Sequence, residues 1–159
     1  MKIKILLLCI GNEIRSDDGV AIHLARELEK LNLQEIEIIT SHQLIPELAE
    51  TILKYDIVIF VDATIEAYND VELIKLKSAE DDIEISTFHS LSPEILLNLS
   101  EKLFHKKIEA YALKIPAINF EFGTELHPQT KQKMFEAIDT LIDFLNCIKK
   151  RRKNETRTS

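Results

Sequence analysis

The stretch that decides the reading is Gly11-Asn12-Glu13-Ile14-Arg15-Ser16-Asp17-Asp18-Gly19, set between an apolar run, Ile3 to Ile10, and a segment of helical periodicity beginning at Val20. A continuous apolar run closed by a polar, glycine-marked turn predicts a buried first strand, and the turn becomes the loop that leaves this strand and enters the first helix. In open α/β sheets ligands collect outside the carboxyl ends of the strands, where strand order reverses. The charge of the loop sets the kind of ligand. Helix N-termini favour anions, and phosphate-binding loops meet them with glycines and backbone donors. Here Glu13, Asp17 and Asp18 repel a phosphate and attract a cation, so the loop reads as half of a metal site.

With 159 residues, 45% of them hydrophobic and 30% charged, the chain fits one domain large enough to bury its own core. The expected division is a single α/β catalytic domain over 1–148 and a basic, disordered C-terminal tail over 149–159, where Lys149, Lys150, Arg151, Arg152, Lys153 and Arg157 crowd together. A net charge of −7 argues against a nucleic-acid surface. Cys9 and Cys147 lie far apart, without metal or redox spacing, and read as two core thiols in a reducing cytosol. Met1 to Ile10 has no small-residue cleavage site and passes into an acidic loop, so it reads as a strand rather than a signal peptide. No run approaches the roughly 20 apolar residues of a membrane span. The expectation is a soluble, cytoplasmic protein, monomeric because no exposed apolar helix face stands out.

The helix after the acidic loop spans about Gly19 to Leu31, with Val20, Leu24, Leu28 and Leu31 on one side and Ser16 or Asp17 as its cap. Glu35 to Thr40 alternates like an exposed or edge strand. Pro46 opens a short helix with Leu48, Ile52 and Leu53 on its apolar side. Ile57 to Val61, flanked by Asp56 and Asp62, is the strongest β signal and predicts a central parallel strand. Val71 to Leu76 reads as a half-exposed strand toward an edge, and Lys77 to Ser86 as a loop or short strand. Ser92-Pro93-Glu94 is a helix start with a hydroxyl cap, continued by Ile95, Leu96, Leu99 and Leu103. Ile108 to Ile115 is a last core strand, and Pro128 to Lys150 a long helix through Met134, Ile138, Leu141, Leu145 and Ile148. Strands alternating with helices in this way predict a three-layer α/β/α sandwich with a mostly parallel sheet.

Three places then project polar groups toward one end of the sheet: the Asp17-Asp18 loop, Asp62 after the third strand, and His89 ahead of the Ser92 helix. In a sheet with the order 2-1-3 the first two meet at the switch point. Two carboxylates and an imidazole form an O,O,N set suited to a divalent first-row metal such as nickel or zinc, with positions left for water or substrate. Each residue also has a plainer role. An acid at a helix start commonly caps it, and a charge ending a buried strand needs only solvent or a partner.

Gly11-Asn12, Arg15 and Asp17-Asp18-Gly19, His42-Gln43-Leu44 with Pro46-Glu47-Leu48-Ala49-Glu50, Val61-Asp62-Ala63, and His89 with Ser92-Pro93 together resemble the signature of the nickel-iron hydrogenase maturation endopeptidases. The resemblance runs from Met1 to about Leu145 and lies in the ordered set rather than in any one motif. It implies a largely parallel five-stranded sheet flanked by helices. It also implies a protease that removes a short C-terminal extension from the hydrogenase large-subunit precursor once nickel has been loaded, with Asp18, Asp62 and His89 as the metal-contacting and catalytic residues. The nickel is then supplied by the substrate, and no permanent organic cofactor is implied. Two positions depart from the pattern. Cys9 stands where family members usually begin Gly-x-Gly-Asn, and Ala21 replaces a glycine common after Asp-Asp-Gly-Val.

No serine has a recognisable base and Cys9 is expected to be buried, so hydrolysis falls to an attacking water, an aspartyl-type activity. Asp18 and Asp62 hold a metal or position the water, and His89 completes the contact. A nucleotide-binding module is a rival, weakened by the missing G-x-G-x-x-G and P-loop lysine patterns and by the loop's negative charge. A noncatalytic metal chaperone or scaffold for the immature large subunit is the other. His42 and Gln43 stand to line a peptide groove or to satisfy backbone groups ahead of the next helix.

Overall fold

The computed structural model describes residues 2–66, 70–78 and 91–158. Its sheet has five strands in the order β2-β1-β3-β5-β4. Strands β1 (Ile5–Ile10), β2 (Ile36–Ser41), β3 (Ile57–Thr64) and β5 (Glu109–Pro116) are mutually parallel, and β4 (Glu72–Lys75) runs antiparallel to β5 at the edge. β1 pairs with β2 on one side and β3 on the other, so the order reverses between β1 and β3, at the crevice where such sheets bind ligands. β3 is central as expected but three residues longer, so that Asp62 lies within it, opposite Lys114 of β5.

All six residues of β1 are buried, because both faces of the sheet are covered. Alternation divides them. Ile5, Leu7 and Cys9 join Ile57, Ile59 and Val61 of β3 in a core beneath α1 (Val20–Lys30) and α4 (Pro128–Thr158). Leu6, Leu8 and Ile10 join Val58 and Phe60 beneath α3 (Pro93–Phe104) and α2 (Leu48–Thr51), which tightens to a 3₁₀ turn over Ile52–Lys54. The same period of two places Asp62 on the side of Val58 and Phe60, facing α2 and α3.

The helices follow their apolar stripes with local differences. α4 buries Met134, Ile138, Leu141, Leu145 and Ile148, the i, i+3/i+4 set read from the sequence, and Ala137 beside them. In α1 the stripe ends at Leu28, and Leu31, at its C-cap, is 52% exposed. In α3 the buried residues are Leu96, Leu97, Asn98 and Ser100, while Leu103 is 60% exposed. The Ser100 hydroxyl donates to the Ala49 carbonyl (2.9 Å) and turns that face toward α2. The Ser92 cap forms as expected, its Oγ accepting from the Ile95 N–H (3.2 Å). The N-cap of α1 is instead Gly19, without a side-chain bond, because a 3₁₀ turn over Ser16–Gly19 precedes the helix and the Asp17 carboxylate is engaged elsewhere. Cys9 is buried but Cys147 is exposed, so only one of the two cysteines is a core thiol.

The segment after residue 148, expected as a disordered tail, continues α4 to Thr158. It contains neither glycine nor proline, and its first turns are pinned to the domain by Lys149–Glu35 (3.1 Å) and Arg151–Glu109 (3.1 Å) ion pairs. No helix among the described residues is long and apolar enough to cross a membrane.

β1 leads directly into the acidic loop. The Gly11 N–H donates to the Ser41 carbonyl (3.0 Å), extending the β1–β2 ladder by one bond, and a Cβ on Gly11 would lie 2.1 Å from the Asp18 carbonyl oxygen. Backbone, not a yielding side chain, closes that space. Gly11→Ala is therefore expected to destabilise the fold by about 2–3 kcal/mol, read from the urea midpoint. Unchanged stability would show that the loop follows a different path.

Candidate active site

The three acids of the first loop have three different fates. Glu13 turns outward and forms an ion pair with Arg26 of α1. Asp17 has 0% exposure. Its Oδ2 accepts from the Ile118 N–H (2.9 Å), the Asn119 N–H (2.8 Å) and the Thr130 hydroxyl (2.7 Å), and its Oδ1 from the His127 N–H (2.8 Å). Burial by itself pushes this carboxyl's pKa up, but the four donors together outweigh burial and hold it below the usual carboxylate range. Asp17 is thus an ionised, fully partnered structural group. Asp18 alone turns into the cleft, its Oδ2 accepting from the Asn12 N–H (3.1 Å).

The loop's path makes this division possible. Asn12 closes a turn, its Oδ1 accepting from the Ile14 N–H (3.1 Å) and its carbonyl from the Arg15 N–H (3.2 Å). Ser16 sits at φ 52°, a left-handed conformation costing a non-glycine residue about 1–2 kcal/mol. Two contacts hold it there: its N–H donates to the Gly123 carbonyl and its hydroxyl to the Glu121 carbonyl, both at 2.8 Å. Gly19 completes the closure, since a Cβ there would meet Glu13 Cα at 2.7 Å.

Asp18 and Asp62 both line a cleft of about 550 Å³ at the β1–β3 switch point. His42 and Gln43, just past β2, line it too, as does an apolar wall that includes Ile10, Leu44, Leu91 and Pro93. Asp62 is open to solvent from this cleft yet ringed by protein. Desolvation pushes its pKa up to about 6; the Ala63 N–H, which donates to its Oδ1 (2.8 Å), and Lys114 pull the other way, while the charge of Asp18 adds to the rise. The charge of Asp18 thus reaches Asp62 across the cleft that both line.

His89 lies outside the described residues. The chain is next described at Leu91, which lines the cleft with Ser92 and Pro93. Among the described residues no group of three His, Cys, Asp or Glu side chains is gathered closely enough to hold a metal by itself. Asp18 and Asp62 provide two oxygen donors, and the exposed His42 provides an imidazole on the cleft wall. Oxygen and imidazole donors suit a divalent cation of borderline softness, which would also offset the burial and the Asp18 charge that raise Asp62. A cysteine nucleophile is not offered. Burial, with the charge of Glu29, pushes the Cys9 thiol up to about 12, and Cys147 lies on α4, away from the cleft lining.

Residues that sequence reasoning did not single out are those that hold the loop: Ile118, Asn119, Gly123, His127 and Thr130. They stand about a hundred positions from their partners, and no motif marks them.

No protein-family model matches the chain, and no curated protein matches it by sequence. Solved structures do. It is similar to a [NiFe] hydrogenase maturation protease, HycI, from Thermococcus kodakarensis KOD1, at 21% identity over 91% of this chain and 94% of that one, with a TM-score of 0.66. The hydrogenase maturating endopeptidase HybD from E. coli is similar at 19% identity over 92% and 93% of the two chains, with a TM-score of 0.65. An uncharacterized protein from Wolinella succinogenes is similar at 22% identity over 92% and 99%, with a TM-score of 0.68. The five-stranded, mostly parallel sheet with flanking helices is the fold these chains share.

The raised pKa of Asp62 makes a signed prediction about stability. Between its ordinary value of 3.8 and about 6 the native state binds more protons than the unfolded chain, so Asp62 costs stability progressively as pH rises through that window. Asp62→Asn is expected to raise the melting temperature at pH 7.5 and to match the wild type near pH 3.5, the gain staying below about 1 kcal/mol because cleft solvent screens the charge. A difference that does not change with pH would contradict the assignment.

Proposed function

We propose that this chain, whose fold is that of the hydrogenase maturation proteases, is itself an endopeptidase that removes a C-terminal extension from a nickel-loaded hydrogenase large-subunit precursor. The observation that carries this reading is the meeting of Asp18 and Asp62, one from each side of the switch point, in an open cleft with His42 on its wall. The nickel belongs to the precursor and arrives with it. The paired carboxylates then recognise a loaded precursor by charge, since the cation offsets their mutual repulsion. His89, by its match to the family signature, is the third contact.

The cleft suits an extended chain terminus, with the apolar wall formed by Leu44, Leu91 and Pro93 along one side. For hydrolysis, Asp62 has the character of a general base: a carboxylate with a pKa of about 6 is ionised at neutral pH and still basic enough to accept a proton from water. The water oxygen attacks the scissile carbonyl carbon as its proton passes to Asp62. Protonated Asp62 then returns the proton to the departing amine as the C–N bond breaks, leaving a carboxylate on the precursor and a free peptide. Asp18, which accepts from the Asn12 N–H, lies beside it, and its charge adds to the burial that keeps Asp62 basic. The enzyme acts as a cytoplasmic monomer without a permanent cofactor.

Incubation with nickel-loaded precursor, read by mass spectrometry of the precursor's C-terminus, tests this directly. The wild type is expected to release a short C-terminal peptide, with kcat/KM, which reports the groups of the free enzyme, falling as pH drops below about 6. Asp18→Asn, Asp62→Asn and His89→Ala are each expected to lose at least about a hundredfold in rate. An intact precursor, or wild-type rates in all three variants, would overturn the reading; binding without cleavage would favour a noncatalytic scaffold.

A further inference from the structure

The geometry points to Asp17 as a positioning residue of the site: its buried carboxylate, bound at four points to residues 118–130, sets the backbone from which Asp18 enters the cleft. Asp17 itself touches neither water nor the cleft. Its value lies in what it joins. Besides the four bonds accepted by the carboxylate, the Asp17 N–H donates to the Asn119 carbonyl (2.9 Å), so residue 17 is held by main chain and side chain at once. Arg15 and Ser16 are bound to the same segment, through the Phe120, Glu121 and Gly123 carbonyls.

Asp18 is the first residue beyond this clamp, and it faces the opposite way. Among the described residues its side chain has one hydrogen bond, from the Asn12 N–H, and its N–H donates to the Arg15 carbonyl (3.2 Å). One bond to a short carboxylate does not fix its direction; the peptide plane between Asp17 and Asp18 does, and that plane is set by Asp17. An Asp at position 17 is required in this geometry because all four partners are donors. In Asp17→Asn the amide NH₂ faces one of them, either the His127 N–H or the cluster on Oδ2. A bond becomes a repulsion while the side-chain volume stays the same. Thr130→Val is milder: it removes one donor and leaves the charge.

The kinetic arm of the test rests on the peptidase reading; the structural arm does not. Backbone hydrogen exchange at Asn12, whose N–H binds Asp18, reports where the Asp18 carboxylate sits. Asp17→Asn and Thr130→Val are expected to speed Asn12 exchange about tenfold while Leu7, in β1, changes by less than about twofold. In an Asp18→Ala background, where that bond is already gone, neither substitution is expected to add anything. With nickel-loaded precursor, kcat/KM is expected to fall about tenfold or more, because Asp18 then meets neither Asp62 nor the bound cation in the same place. Unchanged Asn12 exchange, equal acceleration in the Asp18→Ala background, or an unchanged kcat/KM beside faster exchange would overturn the assignment. Should Asp17→Asn fail to fold, Thr130→Val decides the same question. If the wild type cleaves no precursor, the peptidase reading fails while the exchange arm still decides the role of Asp17.

Discussion

A carboxylate without solvent contact organises the functional end of this molecule. Burying an ionised group is costly unless every lone pair is answered, and Asp17 is answered by two consecutive main-chain N–H groups, a third from His127 and the Thr130 hydroxyl. That requirement ties the loop after the first strand to the connection between the last strand and the last helix, segments about a hundred residues apart. Together with the bonds from Arg15 and Ser16 to residues 120–123, it joins the ends of β1 and β5 directly as well as through the sheet between them. Because it is satisfied, the loop is closed on one side by a buried anchor and on the other by two glycines packed against backbone.

The chemistry of the cleft follows from what this closure leaves over. Of three acids in nine residues, one is consumed by an external ion pair and one by the anchor. The remaining one, Asp18, meets Asp62 across the switch point, where alternation along β3 turns Asp62 to the α2/α3 side. Desolvation in this shared space holds the Asp62 pKa up, and the neighbouring charge of Asp18 adds to the rise. Such a pair is relieved by a proton or by a cation. A site of this kind can therefore distinguish a cation-loaded partner from an unloaded one and can also accept a proton from water.

Much of this was legible in the residues. The buried first strand, the central Ile57–Val61 run, the serine-capped helix at Ser92 and the apolar stripe of α4 all carry local signals, and each forms near where those signals place it. Asp18 and Asp62 were legible as a pair because both follow strands expected at the switch point. What could not be read is long-range. Asp17 and Asp18 are adjacent and chemically identical, and only the loop 118–127 and Thr130 make one a buried anchor and the other a cleft residue. The continuation of α4 to Thr158 depends in part on partners, Glu35 and Glu109, that its own sequence does not contain. Likewise the outward face of Leu103 is decided by Ser100 reaching Ala49.

Asp18 and Asp62 form one electrostatic unit, and titration of the Asp62 carboxyl carbon by NMR in the wild type and in Asp18→Asn tests this directly. A midpoint near 6 is expected in the wild type and a lower one when the neighbouring charge is removed. A midpoint in the ordinary aspartate range, unmoved by the substitution, would contradict it.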